Sequence, residues 1–436
     1  MSRNYLESSI FLIVTKIIRI PFALLISILL ARKLGPEVFG ILNFYHMIIL
    51  ILITFSTLGI KDIIYNDLAK SLRPNKIIIN AIAIYLFGAL ISLAVVITVG
   101  ELSGIADKLT FYCLSLALVF SLLSPFDIFL EAAGQGKVKS IISSIAFFGS
   151  FAIKLFIIFH YENLYLYALA IVSEASIGFI LLSWQFKKSD FIFDLSYLCI
   201  NSIINTLRRA APLLASSIMI IIYSKIDTFM IYHLMDNTAV GLYVVSIKLS
   251  EMVSLVPVML ISAVFPVAIR SKSISKNTYD ETIESILLVS YLFLFFACFI
   301  ITIFSEFIVG TLYGIDYLGS SKSLVILAWA ILFQVFGSFT TYWLVNEGLQ
   351  IYRLYRVFFG LIINIILNYY LIPLYGISGA ATATLVSQFI ASYIGNALVG
   401  RTRKIFYVQS KVLFFINFMK LPMKLKNFFK ILKEII

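Results

Sequence analysis

Long apolar runs separated by short polar stretches fill the sequence, and each run is about as long as a bilayer-crossing helix. A hydrocarbon core of about 30 Å requires about 20 helical residues. Runs such as IIINAIAIYLFGALISLAVVITV lack the every-second-residue alternation of membrane β-strands. The pattern therefore predicts about twelve transmembrane helices, at 9–31, 41–61, 77–99, 109–130, 140–160, 164–186, 210–232, 241–266, 285–308, 321–345, 357–373 and 377–400.

The composition agrees with this pattern and indicates that the chain folds in a membrane. Of the 436 residues, 61% are hydrophobic and 13% are charged, whereas soluble domains average about 45 to 50% and about 25%. We therefore expect an all-α integral membrane protein.

The formal charge of +12 could indicate a nucleic-acid partner, but its distribution points elsewhere. With a cytoplasmic N-terminus, the inner loops and tails hold 25 of the 34 Lys and Arg residues, and the outer loops hold 4. This one-sided bias is the positive-inside pattern of membrane proteins. It predicts that both termini are cytoplasmic, and nucleic acid is not implied.

One short turn occurs twice, as KLGPEVFGIL (33–42) and LMDNTAVGLY (234–243), with each copy after the first helix of a set of six. An even number of crossings gives both sets the same orientation. We therefore expect two parallel six-helix lobes around a central cavity, an arrangement that transporters use to build a site between their halves. The predicted organisation is an N-terminal lobe 1–186, a cytoplasmic linker 187–209, a C-terminal lobe 210–400 and a basic amphipathic tail 401–436 that lies on the inner leaflet.

Four stretches resemble a known family when their order and spacing are taken together. They are ARKLGPEVFGILNF (31–44), YSKIDTFMIYHLMDNTAVGLYVVSIKLSE (223–251), EFIVGTLYGIDYLGSSKSLVILAW (306–329) and YLIPLYGISGAATATLVS (370–387). They are similar to polysaccharide exporters of the Wzx type, the O-antigen flippases, which share a superfamily of twelve-helix, two-lobed transporters with the multidrug and toxic-compound extruders.

The resemblance implies alternating-access export of an undecaprenyl-diphosphate-linked oligosaccharide across the bacterial inner membrane. It also implies membrane lipids as partners, together with the polymerase and chain-length proteins of the same surface-polysaccharide pathway. No cofactor is expected.

Basic residues inside the predicted helices are the candidates for binding this substrate. A polyprenyl diphosphate carries about two negative charges, and an unpaired charge is very costly in a low-dielectric slab. Arg19 falls about 15 Å along its helix, near the membrane midplane, and Lys16 lies on the same face one turn nearer the cytoplasm. The predicted substrate-binding set is Arg19, Lys16, Lys154, Lys248 and Lys225.

Acidic residues inside the predicted helices are the candidates for binding a coupling proton or Na⁺. They are Glu174, Glu251 and Asp227. Glu174 has no basic neighbour in sequence, which makes it the strongest of the three. Static ion pairs, Lys248 with Glu251 and Lys225 with Asp227, remain open as the alternative to transport roles.

Catalytic chemistry finds little support, because the three His and three Cys residues show no metal-ligand spacing. GQGKVKS (134–140) departs from a phosphate-binding loop, with Glu131 and Val138 where Gly and Ser or Thr are needed. We therefore expect neither a catalytic site nor a metal site.

Two other functions remain as alternatives. A multidrug exporter of the same superfamily would favour an acidic cavity for cationic substrates, whereas five buried bases stand against three deep acids. A membrane polymerase or glycosyltransferase would need a sizeable external domain, and the longest predicted outer loop, 309–320, is too short for one.

Overall fold

The computed structural model of the protein describes residues 2–70, 74–102, 105, 107–188, 194–272 and 275–414. These ranges are predominantly helical and contain no β-strand. Eleven of their helices are long and apolar enough to cross a membrane. The prediction of an all-α, multi-pass membrane protein is confirmed.

The helices follow the predicted spans closely. In chain order they are α1 Ser2–Ser56, α2 Lys61–Lys70, α3 Pro74–Leu102, α4 Lys108–Phe120, α5 Ser124–Ala132, α6 Gly136–His160, α7 Leu164–Lys188, α8 Ile200–Leu234, α9 Asn237–Ser271, α10 Lys276–Leu312, α11 Ser321–Asn346, α12 Gln350–Tyr375, α13 Ile377–Phe389, α14 Gly395–Leu398 and α15 Arg403–Leu413. A π-helical turn, Ile390–Ile394, joins α13 to α14.

Helix α1 contains the first two predicted spans in one 55-residue element. A straight helix of that length would measure about 80 Å, more than twice the hydrocarbon core. The backbone leaves the helical conformation at Gly35, with φ 72° and ψ 169°, a region that glycine enters without steric cost. Gly35 thus divides α1 into 2–34 and 36–56, and counting these parts separately gives the twelve predicted spans.

Side-chain caps fix the starts of two later helices. Asp107 accepts a hydrogen bond from the backbone nitrogen of Thr110 at the start of α4. Ser275 does the same for Thr278 at the start of α10. Each cap satisfies a backbone donor that the first helical turn leaves without a partner.

The chain divides into two compact units. Unit 1 comprises Met1–Gly35 and Ile41–Ile222, and unit 2 comprises Pro36–Gly40 and Tyr223–Ile436. Their division falls within α8, whereas the sequence predicted a linker at 187–209. The predicted lobe boundaries at 186 and 210 stay a prediction.

Helix α15, at the start of the predicted tail, packs on other helices of unit 2 through Ile405, Gln409 and Val412, which are all buried. The Gln409 amide donates to Thr340 Oγ1 at 3.0 Å and to the Ser392 carbonyl at 3.2 Å, and its oxygen accepts from Asn396 at 3.0 Å. Protein therefore covers one face of α15. The predicted contact of the tail with the inner leaflet falls mainly on 415–436, outside the described residues.

Candidate functional site

Three helices of unit 1 bring two basic side chains to one carboxylate. Glu174 on α7 forms an ion pair with Arg19 on α1, and its other oxygen lies 3.7 Å from Lys154 Nζ on α6. The Arg19 guanidinium also lies 4.5 Å from the centroid of the Phe147 ring. Because two cations share one anion, this cluster has an excess positive charge. We call these residues, Arg19, Lys154 and Glu174, the Arg19 cluster.

Arg19 and Glu174 of this cluster line a cavity of about 440 Å³ in unit 1. This volume falls in the range of small-molecule sites, which is about 300 to 1,000 Å³. The wall is mainly apolar, and its polar lining consists of Arg19, His46, Asp127, Lys139, Ser143 and Glu174.

A second charged group on the same cavity has the opposite balance. Lys139 on α6 lies 2.8 Å from an Asp127 oxygen and 2.7 Å from a Glu131 oxygen, both on α5. Both acids are partly exposed, and each forms an ion pair with Lys139. Of the charged residues that line the cavity, Arg19 and Lys139 are basic and Glu174 and Asp127 are acidic, while their further partners Lys154 and Glu131 are not part of its lining.

His46 lies in the wall of this cavity. The second predicted span, 41–61, places it near the start of its helix. Because that helical part begins at residue 36, directly after Gly35, His46 falls well inside it.

Asp227 on α8 is a buried carboxylate of unit 2, and its hydrogen-bond donors within the described residues are all uncharged. Tyr243 Oη donates to its Oδ2 at 2.9 Å, Asn368 Nδ2 donates to its Oδ1 at 2.6 Å, and the Thr384 hydroxyl donates to Oδ2. Among the described residues it has no basic partner, so the alternative of an ion pair with Lys225 is wrong.

Two asparagines of α12 extend the polar surroundings of Asp227. Asn368 donates to Asn364 Oδ1 at 3.1 Å, and both side chains are buried. The Asn368 Oδ1 atom is buried and has no hydrogen-bond partner in the described part of the chain. Sequence reasoning missed this pair, although two Asn residues four apart in the apolar run GLIINIILNYY share one helix face.

The other predicted residues lie apart from the Arg19 cluster. Lys225 is half-buried on α8, and Glu251 is exposed on α9. The Lys248 ammonium lies 4.9 Å from the centroid of the Phe39 ring. The Lys16 side chain lies outside the described residues. Of the eight predicted residues, the structure thus joins Arg19, Lys154 and Glu174, and their roles stay predictions.

No group of three or more His, Cys, Asp or Glu side chains that could hold a metal ion occurs within the described ranges. The charged residues at the cavity and Asp227 are therefore the candidate functional residues of the described ranges.

The model of a family described as polysaccharide biosynthesis protein matches residues 5–272, which is more than half of the chain. The chain belongs to this polysaccharide biosynthesis family. No curated protein matches it.

Solved structures share the fold of this family member at low sequence identity. A multidrug resistance MATE family transporter of the MOP superfamily, in an inward-facing conformation, is 14% identical with a TM-score of 0.71, over 92% of this chain and 99% of that one. The lipid II flippase MurJ, in an inward closed conformation, is 15% identical with a TM-score of 0.66, over 98% and 97%. A MOP superfamily transporter from Pyrococcus furiosus is 15% identical with a TM-score of 0.65, over 93% and 96%.

These similarities establish that the protein has the fold of the MOP superfamily transporters. They do not by themselves carry over a substrate, because folds of this kind host several transported compounds.

Proposed function

We propose that the protein is a flippase that moves an undecaprenyl-diphosphate-linked oligosaccharide, such as an O-antigen repeat unit, across the bacterial inner membrane by alternating access. Two findings support this proposal: the chain belongs to a polysaccharide biosynthesis family, and it shares its fold with a lipid II flippase. The observation that carries it is the Arg19 cluster, in which Arg19 and Lys154 share one carboxylate and Arg19 and Glu174 line a cavity.

The excess charge of the Arg19 cluster suits a diphosphate. In the absence of substrate, Glu174 neutralises only part of the charge on Arg19 and Lys154. An arriving diphosphate offers about two negative charges and can take over both cations, with the planar fork of Arg19 binding two of its oxygens. In this proposal Glu174 occupies the place of the substrate phosphates. Its carboxylate holds Arg19 and Lys154 in position until a diphosphate replaces it.

Transport also needs an energy source, and Asp227 is the best-placed residue to bind a coupling cation. A buried carboxylate without a counter-charge is unfavourable, so a bound proton or Na⁺ would stabilise it. The carboxylate, the Asn368 Oδ1 atom and the Asn364 amide supply the oxygen atoms that hard cations prefer. Glu174 was the stronger candidate from sequence, but its two basic partners make Asp227 the better one.

The proposed function is tested with the full chain in proteoliposomes. The substrate is an undecaprenyl-diphosphate-linked oligosaccharide on the inner leaflet, and its arrival outside is followed by an added glycosidase. We expect protein-dependent movement of this lipid and none of an uncharged polyprenol-linked oligosaccharide.

The same vesicles distinguish the competing transporter function. Export of cationic dyes without movement of the lipid-linked oligosaccharide would overturn the proposal in favour of a multidrug exporter.

A further inference from the structure

Arg356 on α12 is a partly exposed residue whose guanidinium uses only part of its hydrogen-bonding capacity. Its Nη2 atom donates to the Gly337 carbonyl at 2.8 Å and to Thr341 Oγ1 at 3.1 Å. Its Nη1 atom is buried and has no hydrogen-bond partner in the described part of the chain. Both acceptors are uncharged, so no described acidic group balances the charge of Arg356.

The sequence placed Arg356 in a cytoplasmic loop, because the predicted span began at residue 357. In the structure α12 begins at Gln350, and Arg356 is the seventh residue of the helix, about 9 Å along its axis. The residue is therefore part of an apolar helix, where a cation needs a partner far more than it does in a hydrated loop.

The neighbourhood of Arg356 includes an irregular backbone element. A Cβ atom on Gly337 would lie 3.6 Å from Arg356 Nη2 on one side and 2.5 Å from Ser392 Oγ on the other. Ser392 belongs to the π-helical turn Ile390–Ile394, and such turns occur frequently at functional sites. Arg356 and this turn thus meet across the same glycine.

An ionised group in apolar surroundings normally has an opposite charge beside it, because desolvation is not otherwise compensated. A guanidinium with one nitrogen already bonded and the other without a partner is suited to an oxyanion with several acceptor oxygens. Phosphate is the oxyanion that lipids carry into a membrane protein. The side chain is partly exposed, so a headgroup can approach it, and Nη1, which is buried in this conformation, must turn outward to bind that headgroup.

We propose that Arg356 forms a phosphate-binding subsite in unit 2 that takes the phosphate of a lipid headgroup through Nη1. The lipid is either the diphosphate-linked substrate, in which case the inference rests on the proposed function, or an anionic phospholipid of the surrounding membrane. The subsite is separate from the Arg19 cluster, which lies in unit 1.

Binding of three lipids to the purified full chain tests this subsite: undecaprenyl diphosphate, phosphatidylglycerol and uncharged undecaprenol. We expect Arg356→Gln to weaken binding of at least one phosphate-bearing lipid by about 10- to 100-fold, the effect of losing a hydrogen bond to a charged group. Binding of undecaprenol should stay unchanged. Arg353→Gln is the matched control, because Arg353 carries the same charge one turn earlier on α12 but is exposed.

The pattern of losses identifies the lipid. If Arg356→Gln weakens binding of undecaprenyl diphosphate alone, the subsite binds the substrate. If it weakens binding of phosphatidylglycerol, the subsite binds membrane lipid, and this conclusion stands even if the vesicles show no flipping. Equal affinities of wild type and Arg356→Gln for both lipids would overturn the subsite.

Arg356→Lys provides a second test, needed if the Gln variant does not fold. Lysine keeps the charge but lacks the fork, so binding should be weaker than in wild type, and wild-type affinity in this variant would contradict a guanidinium-specific site.

Discussion

Gly40 and Gly241 lie against each other, so that a Cβ atom on Gly40 would be 2.8 Å from the backbone nitrogen of Gly241. The same atom would overlap the Asn237 carbonyl oxygen. A Cβ atom on Gly241 would overlap the Pro36 carbonyl oxygen. These residues belong to the two copies of the repeated turn, KLGPEVFGIL and LMDNTAVGLY. Residues 36–40 of the first copy and 237–241 of the second therefore pack backbone on backbone inside unit 2.

Gly40→Ala should destabilise the protein, because the added methyl group has no space beside the Asn237 carbonyl. Overpacking of this kind costs typically about 1 to 3 kcal/mol. The measurement is the Tm of the detergent-purified full chain. Gly310→Ala is the control, since its Cβ would meet Leu318 at 3.5 Å, an ordinary contact. Equal losses in both variants would show that the close approach has no special role.

Arg19→Gln should abolish polysaccharide export while the protein still reaches the membrane, because removal of an intramembrane charge eases insertion. Arg19→Lys should restore part of the activity, since a point charge does not reproduce the guanidinium fork. Complementation of a flippase-null strain, with membrane levels from immunoblots, measures both.

Lys33→Gln is the control for Arg19, because Lys33 lies on the same helix in an ion pair with the exposed Glu162. Full polymer from Arg19→Gln would remove Arg19 from the mechanism.

Glu174→Gln should raise the affinity for undecaprenyl diphosphate and lower the transport rate. The substitution removes the carboxylate that competes with the diphosphate for Arg19 and Lys154, so substrate binds more readily and is released less readily. Lipid binding and vesicle flipping by the same preparation test this. Unchanged affinity with impaired transport would favour the earlier assignment of Glu174 as a coupling residue.

Asp227→Asn should leave the fold intact, because the amide keeps the shape and removes a buried charge. Transport by this variant should no longer respond to an imposed Na⁺ or pH gradient, whichever one drives the wild type. Flipping in proteoliposomes with each gradient is the measurement.

Glu251→Gln tests the remaining predicted acid in the same assay, and its exposed side chain should make the response normal. A gradient response that survives in Asp227→Asn would place the coupling site elsewhere.

Gln409→Ala should loosen α15 from the other helices of unit 2, because it removes buried hydrogen bonds to Thr340, Ser392 and Asn396. Each lost hydrogen bond costs about 0.5 to 1.5 kcal/mol. The Tm of the variant reports the loss. Gln350→Ala, at an exposed position at the start of α12, should leave the Tm within a degree or two of wild type. A Gln409 variant as stable as this control would contradict the docked tail helix.

The positions of the membrane helices could be predicted because hydrophobic length is a local property of the sequence. The ends of the helices were predicted less accurately. The apolar run that defined the predicted span ends at charged residues such as Arg353 and Arg356, whereas helix α12 begins at Gln350. The predicted loop between the first two helices also shrinks to one non-helical residue, Gly35.

Charge partners were beyond prediction for a different reason. Arg19 and Glu174 are 155 residues apart, and only packing of α1 against α7 brings them together. The same holds for Asp227, whose donors come from α9, α12 and α13. The sequence could identify the charged candidates but not which of them compensate each other.

The break at Gly35 also fixes the parity of the membrane crossings. If Ser2–Ser56 is one rod, the eleven apolar helices form an odd set, and the chain enters and leaves on opposite faces of the bilayer. Divided at Gly35, the set becomes even, and an even number of crossings returns a chain to the side on which it began. The side assigned to every later loop therefore depends on whether the chain turns back at Gly35.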